Sequence, residues 1–168
     1  GMTARWDLSN SWDNGDDHGM FNSGNEPDGV PRWNPRPAYY HMYFFQKFLG
    51  DRMVTSTSSD PDIISYASSY SSGEVGVTLI NKSVSDKSVE VDIKNFRKGS
   101  KFYWYTITGA GDNGEFPRKV IINGTGTSLA AGGPSDYKTI NAFAANVSGG
   151  LRVNVPARAA VFMVFEKK

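Results

Sequence analysis

The densest group of reactive side chains is the stretch WDNGDDHG, Trp12 to Gly19. It places Asp13, Asp16, Asp17 and His18 within six residues, beside an indole. Such a set can bind a cation, move protons, or hold sugar hydroxyls. It is equally what a solvated Asp/Asn/Gly turn looks like. The spacing fits no EF-hand, which alternates its ligands over a longer loop and closes on a distal Glu. Downstream lies Asn25-Glu26-Pro27. Acid–base cleavage of a glycosidic bond needs two carboxyl groups, about 5 Å apart in retaining enzymes and about 6.5–9.5 Å apart in inverting ones. A complete small glycosidase would have to use Glu26 with one of Asp13, Asp16 or Asp17. No apolar strand leads into Glu26, and Asp28-Gly29 follows it. It therefore reads as a glutamate in a polar loop rather than as a catalytic acid.

Aromatic residues accompany these groups. Trp6, Trp12 and Trp33 fall in the same Asp/Asn/Gly-rich zone. Indoles stack on the C–H faces of pyranose rings while carboxylates and amides take the hydroxyls, the usual mix of apolar walls and a few polar groups. Trp12, between Ser11 and Asp13, is the best placed for this. Trp6 and Trp33 read as packing residues, and Trp104 as a core residue of a sheet. Other chemistries lack their motifs: no G-x-S-x-G, P-loop, dinucleotide fingerprint or zinc pattern occurs. The chain has no cysteine and only two histidines. His41 sits in an apolar helical segment and reads as a packing histidine. No catalytic residue, metal site or cofactor is assigned.

Three zones must position these residues. Met2–Asn34 has one short candidate strand and then a long stretch without periodicity, which reads as a loop. Pro35–Gly50, PRPAYYHMYFFQKFLG, reads as one helix, with Pro37 in the first turn and Gly50 at the C-cap. Its Tyr, Phe, Met and Leu residues cover nearly the whole circumference, so it should be buried all round. One sheet face cannot do that. From Met53 onward the period is two. SVEVDI and LRVNV alternate cleanly, and DIISYASSY, EVGVTLIN, KFYWYTIT, RKVIIN and AAVFMVFE are further strands separated by turn formers. AAVFMVF is apolar on both faces and should be central. Gly124–Pro134 reads as an exposed loop. The fold class is all-β: an antiparallel β-sandwich of about seven to nine strands, preceded by a long loop and one α-helix. Residues 1–50 and 51–168 form the two parts.

Composition agrees. Aromatics make up 13% of 168 residues, with abundant Gly and Ser, which suits a turn-rich β protein. A net charge of +1 and scattered Lys and Arg give no field for nucleic acid or an anionic membrane. No apolar run approaches the roughly 20 residues of a membrane span. Gly1 before Met2 reads as a remnant of tag removal.

On these residues a resemblance can be stated. PRPAYYHMYFFQKFLGDRMV resembles the last barrel helix and its exit in glycoside hydrolases of the large retaining (β/α)8 clan, arabinofuranosidase-, xylosidase- and agarase-like enzymes. GEVGVTLINKSVSDKSVEVDI and VNVPARAAVFMVFE are similar to strands of the β-sandwich that follows that barrel. Asn-Glu-Pro is also how the acid of many such enzymes reads, but the resemblance puts Glu26 after the eighth barrel strand, the wrong place for acid or nucleophile. It implies that residues 1–50 are the end of a barrel and 51–168 a non-catalytic sandwich bracing it. Trp12, Asp13, Asp16, Asp17 and His18 would then face a polysaccharide or oligosaccharide at the cleft rim. The implied partner is the catalytic barrel domain, and the implied location secreted or periplasmic. Without the barrel, the aromatic helix should be covered by homodimerisation or by the N-terminal zone. The reading from another class is a free-standing carbohydrate-binding module, which would carry Tyr66, Tyr70, Tyr103 and Tyr105 as an exposed coplanar strip.

Overall fold

The structure is a computed structural model that describes residues 7–13, 15, 18–115, 118–147 and 150–168. Its strands are β1 (Ser9–Ser11), β2 (Phe21–Gly24), β3 (Arg52–Val54), β4 (Ile63–Ser69), β5 (Val75–Asn81), β6 (Lys87–Glu90), β7 (Lys98–Gly109), β8 (Val120–Ile122), β9 (Phe143–Asn146), β10 (Arg152–Val155) and β11 (Ala160–Lys167). The helix α1 spans Pro37–Phe48. The main sheet has seven strands in the order β3-β4-β5-β11-β7-β8, with β9 on the other end of long β7. Its named pairs are antiparallel. A small antiparallel sheet, β10-β6, covers part of one face, and α1 lies on the other.

This layering explains the sequence of β11. Val161, Met163 and Phe165 point between the sheets, into a core shared with Val77, Leu79, Phe102 and the small sheet's Val153 and Val155. Ala160 and Phe162 point to the helix, beside Tyr40, Phe44, Phe48, Ile107 and Ile122. A strand covered on both faces needs apolar residues at every position. The all-β sandwich stands, with eleven strands among the described residues in place of the seven to nine expected. The additions are short. β2, β3 and β9 run FNSG, RMV and FAAN, without the length or alternation that marks a strand in sequence.

The helix is shorter than Pro35–Gly50 and only partly enclosed. Pro37 opens it, where a missing N–H costs nothing. Tyr40, Phe44 and Phe48 are buried at helical spacing, Tyr39, Met42, Tyr43 and Phe45 are half-buried, and Gln46 and Lys47 are exposed. One sheet therefore buries one stripe. Tyr137 adds a lateral cover, 4.9 Å from the Tyr43 ring, and Phe21 another, 5.0 Å from Tyr39. Gly50 does not adopt a left-handed cap. A Cβ there would lie 2.5 Å from the Ser69 carbonyl oxygen, and one on Gly76 would lie 2.4 Å from that of Phe48. Both glycines let the helix end press onto the sheet. The 124–134 segment also departs from expectation: Ala131–Pro134 is buried against the start of the helix.

Candidate functional site

The N-terminal zone is a compact scaffold rather than a slack loop. β1 and β2 pair in parallel, Ser9 with Phe21 and Asn10 with Asn22. Trp12 N–H continues the ladder to the Gly24 carbonyl at 2.9 Å. Buried Asn22 organises the turn that follows. Its amide donates to the carbonyls of Val30 and Pro31 at 3.3 and 3.0 Å, and its oxygen accepts the Gly24 N–H at 2.8 Å. Every polar atom of that side chain is thereby satisfied, as burial demands. Sequence periodicity cannot reveal such a scaffold, because its order comes from side chain to backbone bonds.

Glu26 lies at the centre. Its side chain is fully buried, in contrast to the polar-loop reading. One carboxylate oxygen accepts from Arg36 Nη2 and Nε at 2.9 and 3.1 Å. The other is paired with Arg118, from the segment before β8. Arg36 also donates to the carbonyl of Asn10 at 3.2 Å. An Arg–Glu–Arg triad thus ties β1, the Glu26 loop, the helix start and the sandwich together. Both carboxylate oxygens face guanidinium groups, so neither is presented to a glycosidic oxygen. Among the described residues no group of three or more His, Cys, Asp and Glu side chains is placed to hold a metal ion. Around Glu26 the geometry is that of a clamp.

The expected site residues distribute unevenly. Trp12 is half-buried, with the Arg118 guanidinium 4.1 Å from its ring centroid. One indole face is therefore occupied by a cation–π contact. Asp13 is exposed and accepts from the Asn25 amide at 3.3 Å. Trp12, Asp13, Asn25 and Arg118 thus share one patch. His18 is exposed on the loop before β2. Asp16 and Asp17, like Trp6, lie outside the described residues. Arg36 and Arg118 were missed by the sequence reading. No motif marks them, since the partner of each is distant in sequence. Trp33 is not a packing residue: it is 61% exposed, with positive φ and Arg32 over its ring.

Beside the scaffold, a tyrosine cluster joins the helix to the 134–140 segment. The Tyr39 and Tyr137 hydroxyls are bonded to each other. Burial, then the bond with Tyr137, pushes the Tyr39 hydroxyl up to about 12, and burial does the same to Tyr40 against the lowering effect of its bond with the Gly133 backbone. Burial lowers the His41 imidazole below its ordinary value. Tyr66, Tyr70, Tyr103 and Tyr105 form no coplanar strip. Tyr105 lies under α1 against Phe44 and Phe48, Tyr103 donates to Glu166 at 2.9 Å, Tyr70 donates to the Lys47 carbonyl, and Tyr66 stands at the sheet margin against Phe45.

No family model and no curated protein matches this sequence. Solved structures do share its fold, glycoside hydrolases among them. An arabinose-bound GH51 α-L-arabinofuranosidase, MgGH51, aligns over 97% of this chain at 13% identity and TM-score 0.64. A thermostable GH51 α-L-arabinofuranosidase from Thermotoga petrophila RKU-1 aligns over 88% at 15% identity and TM-score 0.59. CelM2, a bifunctional glucanase-xylanase from a metagenome library, aligns over 82% at 21% identity and TM-score 0.56. The chain spans only 24%, 31% and 24% of those three proteins. Its fold is that of one portion of a glycoside hydrolase.

Proposed function

We propose that this chain is the non-catalytic C-terminal β-sandwich of a polysaccharide-degrading glycoside hydrolase, together with the end of its catalytic barrel, and that it braces that barrel. The observation that carries this reading is an uncovered apolar face on the helix side of the main sheet. Tyr66, Met53 and Ile64 are 39%, 45% and 36% exposed, and Phe45 packs on Tyr66. Strand register puts them on one side: Met53 pairs with Ser68, Ile64 with Ile80 and Tyr66 with Thr78, and Ile80 belongs to the helix-side core. Contiguous exposed rings and aliphatic chains mark a surface meant for a partner. The parallel β1-β2 pair supports the same reading, since parallel strands normally sit within a sheet covered on both faces.

In this reading Glu26, Arg36 and Arg118 lock the barrel's last segment to the sandwich. Trp12 and Asp13, with Asp16, Asp17 and His18, stand at the rim of the sugar cleft and take hydroxyls and one pyranose face. The reading frame upstream of residue 1 tests the proposal. It is expected to encode a (β/α)8 barrel in frame. A frame that closes at once, together with depletion of the isolated chain by insoluble xylan or arabinan, would overturn it in favour of a binding module.

A further inference from the structure

The two sheets of the sandwich are unequal, and the mismatch leaves a groove. β6 and β10 cover only part of the inner face of the main sheet. Beside them opens a cavity of about 820 Å³ floored by the inner-face residues of β4 and β5, including Ala67, Val75 and Val77. One wall is formed by residues 88–96, which begin on β6, and the other by the 54–60 segment. The groove is where the core remains unfinished: Ala67, Val75, Val89, Val91, Ile93 and Phe96 pack against the inter-sheet core but are only half-buried.

The wall is a strand edge with free bonding groups. Val91 N–H bonds the Leu151 carbonyl at 2.7 Å, and β6 pairs antiparallel with β10, Val89 opposite Val153. Bonding alternates along an antiparallel pair. Val89 and Val91 therefore turn their peptide groups to β10, while Ser88 and Glu90 turn theirs to the groove. Among the described residues nothing bonds the backbone N–H or C=O of Ser88 and Glu90 on that side. Stacked sheets lie about 10 Å apart, so the space above β4 and β5 has the depth of one further strand.

We infer that the groove receives an extended polypeptide strand, which adds to β6 as the third strand of the small sheet and lays alternate apolar side chains on Ala67, Val75 and Val77. A strand fits this site better than a sugar. The floor is small and aliphatic, and the wall supplies evenly spaced backbone donors and acceptors. That is the pattern of strand addition, where main-chain bonds give affinity and alternate pockets give selectivity. The strand's source is the rest of the same enzyme; this clause alone rests on the function proposed above, and the neighbours' three- to fourfold greater length leaves ample polypeptide to supply it.

The test uses the 168-residue chain and a capped peptide of alternating valine and lysine, followed by NMR. Saturable binding is expected, with slowed exchange at the Ser88 and Glu90 amides. Glu90→Pro removes one outward N–H, and proline is tolerated on an edge strand. It should weaken binding about tenfold, the worth of one backbone hydrogen bond, while leaving the fold unchanged. Ala67→Asp, on the floor, should abolish binding. Absence of binding, binding indifferent to both variants, or xylo-oligosaccharide shifting the groove resonances in place of the peptide would overturn the inference. If the peptide binds β6 but no barrel lies upstream, the groove assignment stands and the bracing role falls.

Discussion

Replacing Glu26 with Gln separates a clamp from a catalyst. The exchange keeps shape and removes charge. Arg36, whose side chain is 2% exposed, would retain its guanidinium beside a neutral amide, and the new amide N–H would meet the donors of Arg36 or Arg118. Removing one partner of a buried ion pair costs about 3–5 kcal/mol, because the stranded charge stays buried. For a domain of this size each kcal/mol moves the midpoint by about 2–4 °C, so a fall in Tm of roughly 6–20 °C is expected. Differential scanning calorimetry and urea titration read it directly. Replacing the pair together, Glu26→Leu with Arg36→Met, should cost less than Glu26→Gln alone, since the fully buried Arg36 charge goes with its partner and Arg118, 23% exposed, can turn to solvent. An unchanged Tm for Glu26→Gln, or loss of aryl-glycoside turnover without loss of stability, would refute the clamp.

Thr78 offers the opposite sign. Its hydroxyl is buried with no partner among the described residues, and it sits cross-strand between Tyr66 and Phe162. Thr78→Val keeps the shape and should raise stability by about 1 kcal/mol, read as a higher urea midpoint. Val161→Asp puts a charge at a fully buried position and should leave no folded protein, whereas Val91→Asp, half-buried at the groove, should fold with a lowered Tm. His41 gives a pH signature. Its folded pKa lies below the unfolded value, so the unfolded chain binds more protons on acidification and stability falls as pH drops below about 6.5. His41→Leu should flatten that slope in urea titrations between neutral and mildly acid pH. At the alkaline end Tyr39 and Tyr40 stay protonated in the fold to about 12, so stability should decline as pH rises past about 10, where the unfolded tyrosines ionise.

The sandwich was legible because its strands obey simple periods. SVEVDI and LRVNV alternate, and AAVFMVF is apolar on both faces since both are covered. Even there tertiary context set the ends: β6 stops at Glu90 although alternation runs to Ile93, because β10 accompanies it only that far. β9 was illegible, four residues of which two are Ala, held only by its place beside β7. The N-terminal scaffold hides for a different reason. Asn22, Glu26, Arg36 and Arg118 act through partners up to 92 residues away, and a charged residue carries no sign of its partner. Asn-Glu-Pro marks Glu26 in the sequence as a candidate acid, and the structure instead pairs both its carboxylate oxygens with arginines and makes it the hub of the zone. For the rim residues, the sequence shows their clustering, and the structure brings Trp12 and Asp13 onto one patch with Arg118.

Methionine oxidation gives the most direct test of the bracing role. Met53 stands on the uncovered apolar face, 45% exposed. Peroxide oxidation followed by mass spectrometry should find it reactive in the isolated chain and protected in the longer gene product, with buried Met163 slow in both. Equal Met53 rates in the two proteins would contradict the account.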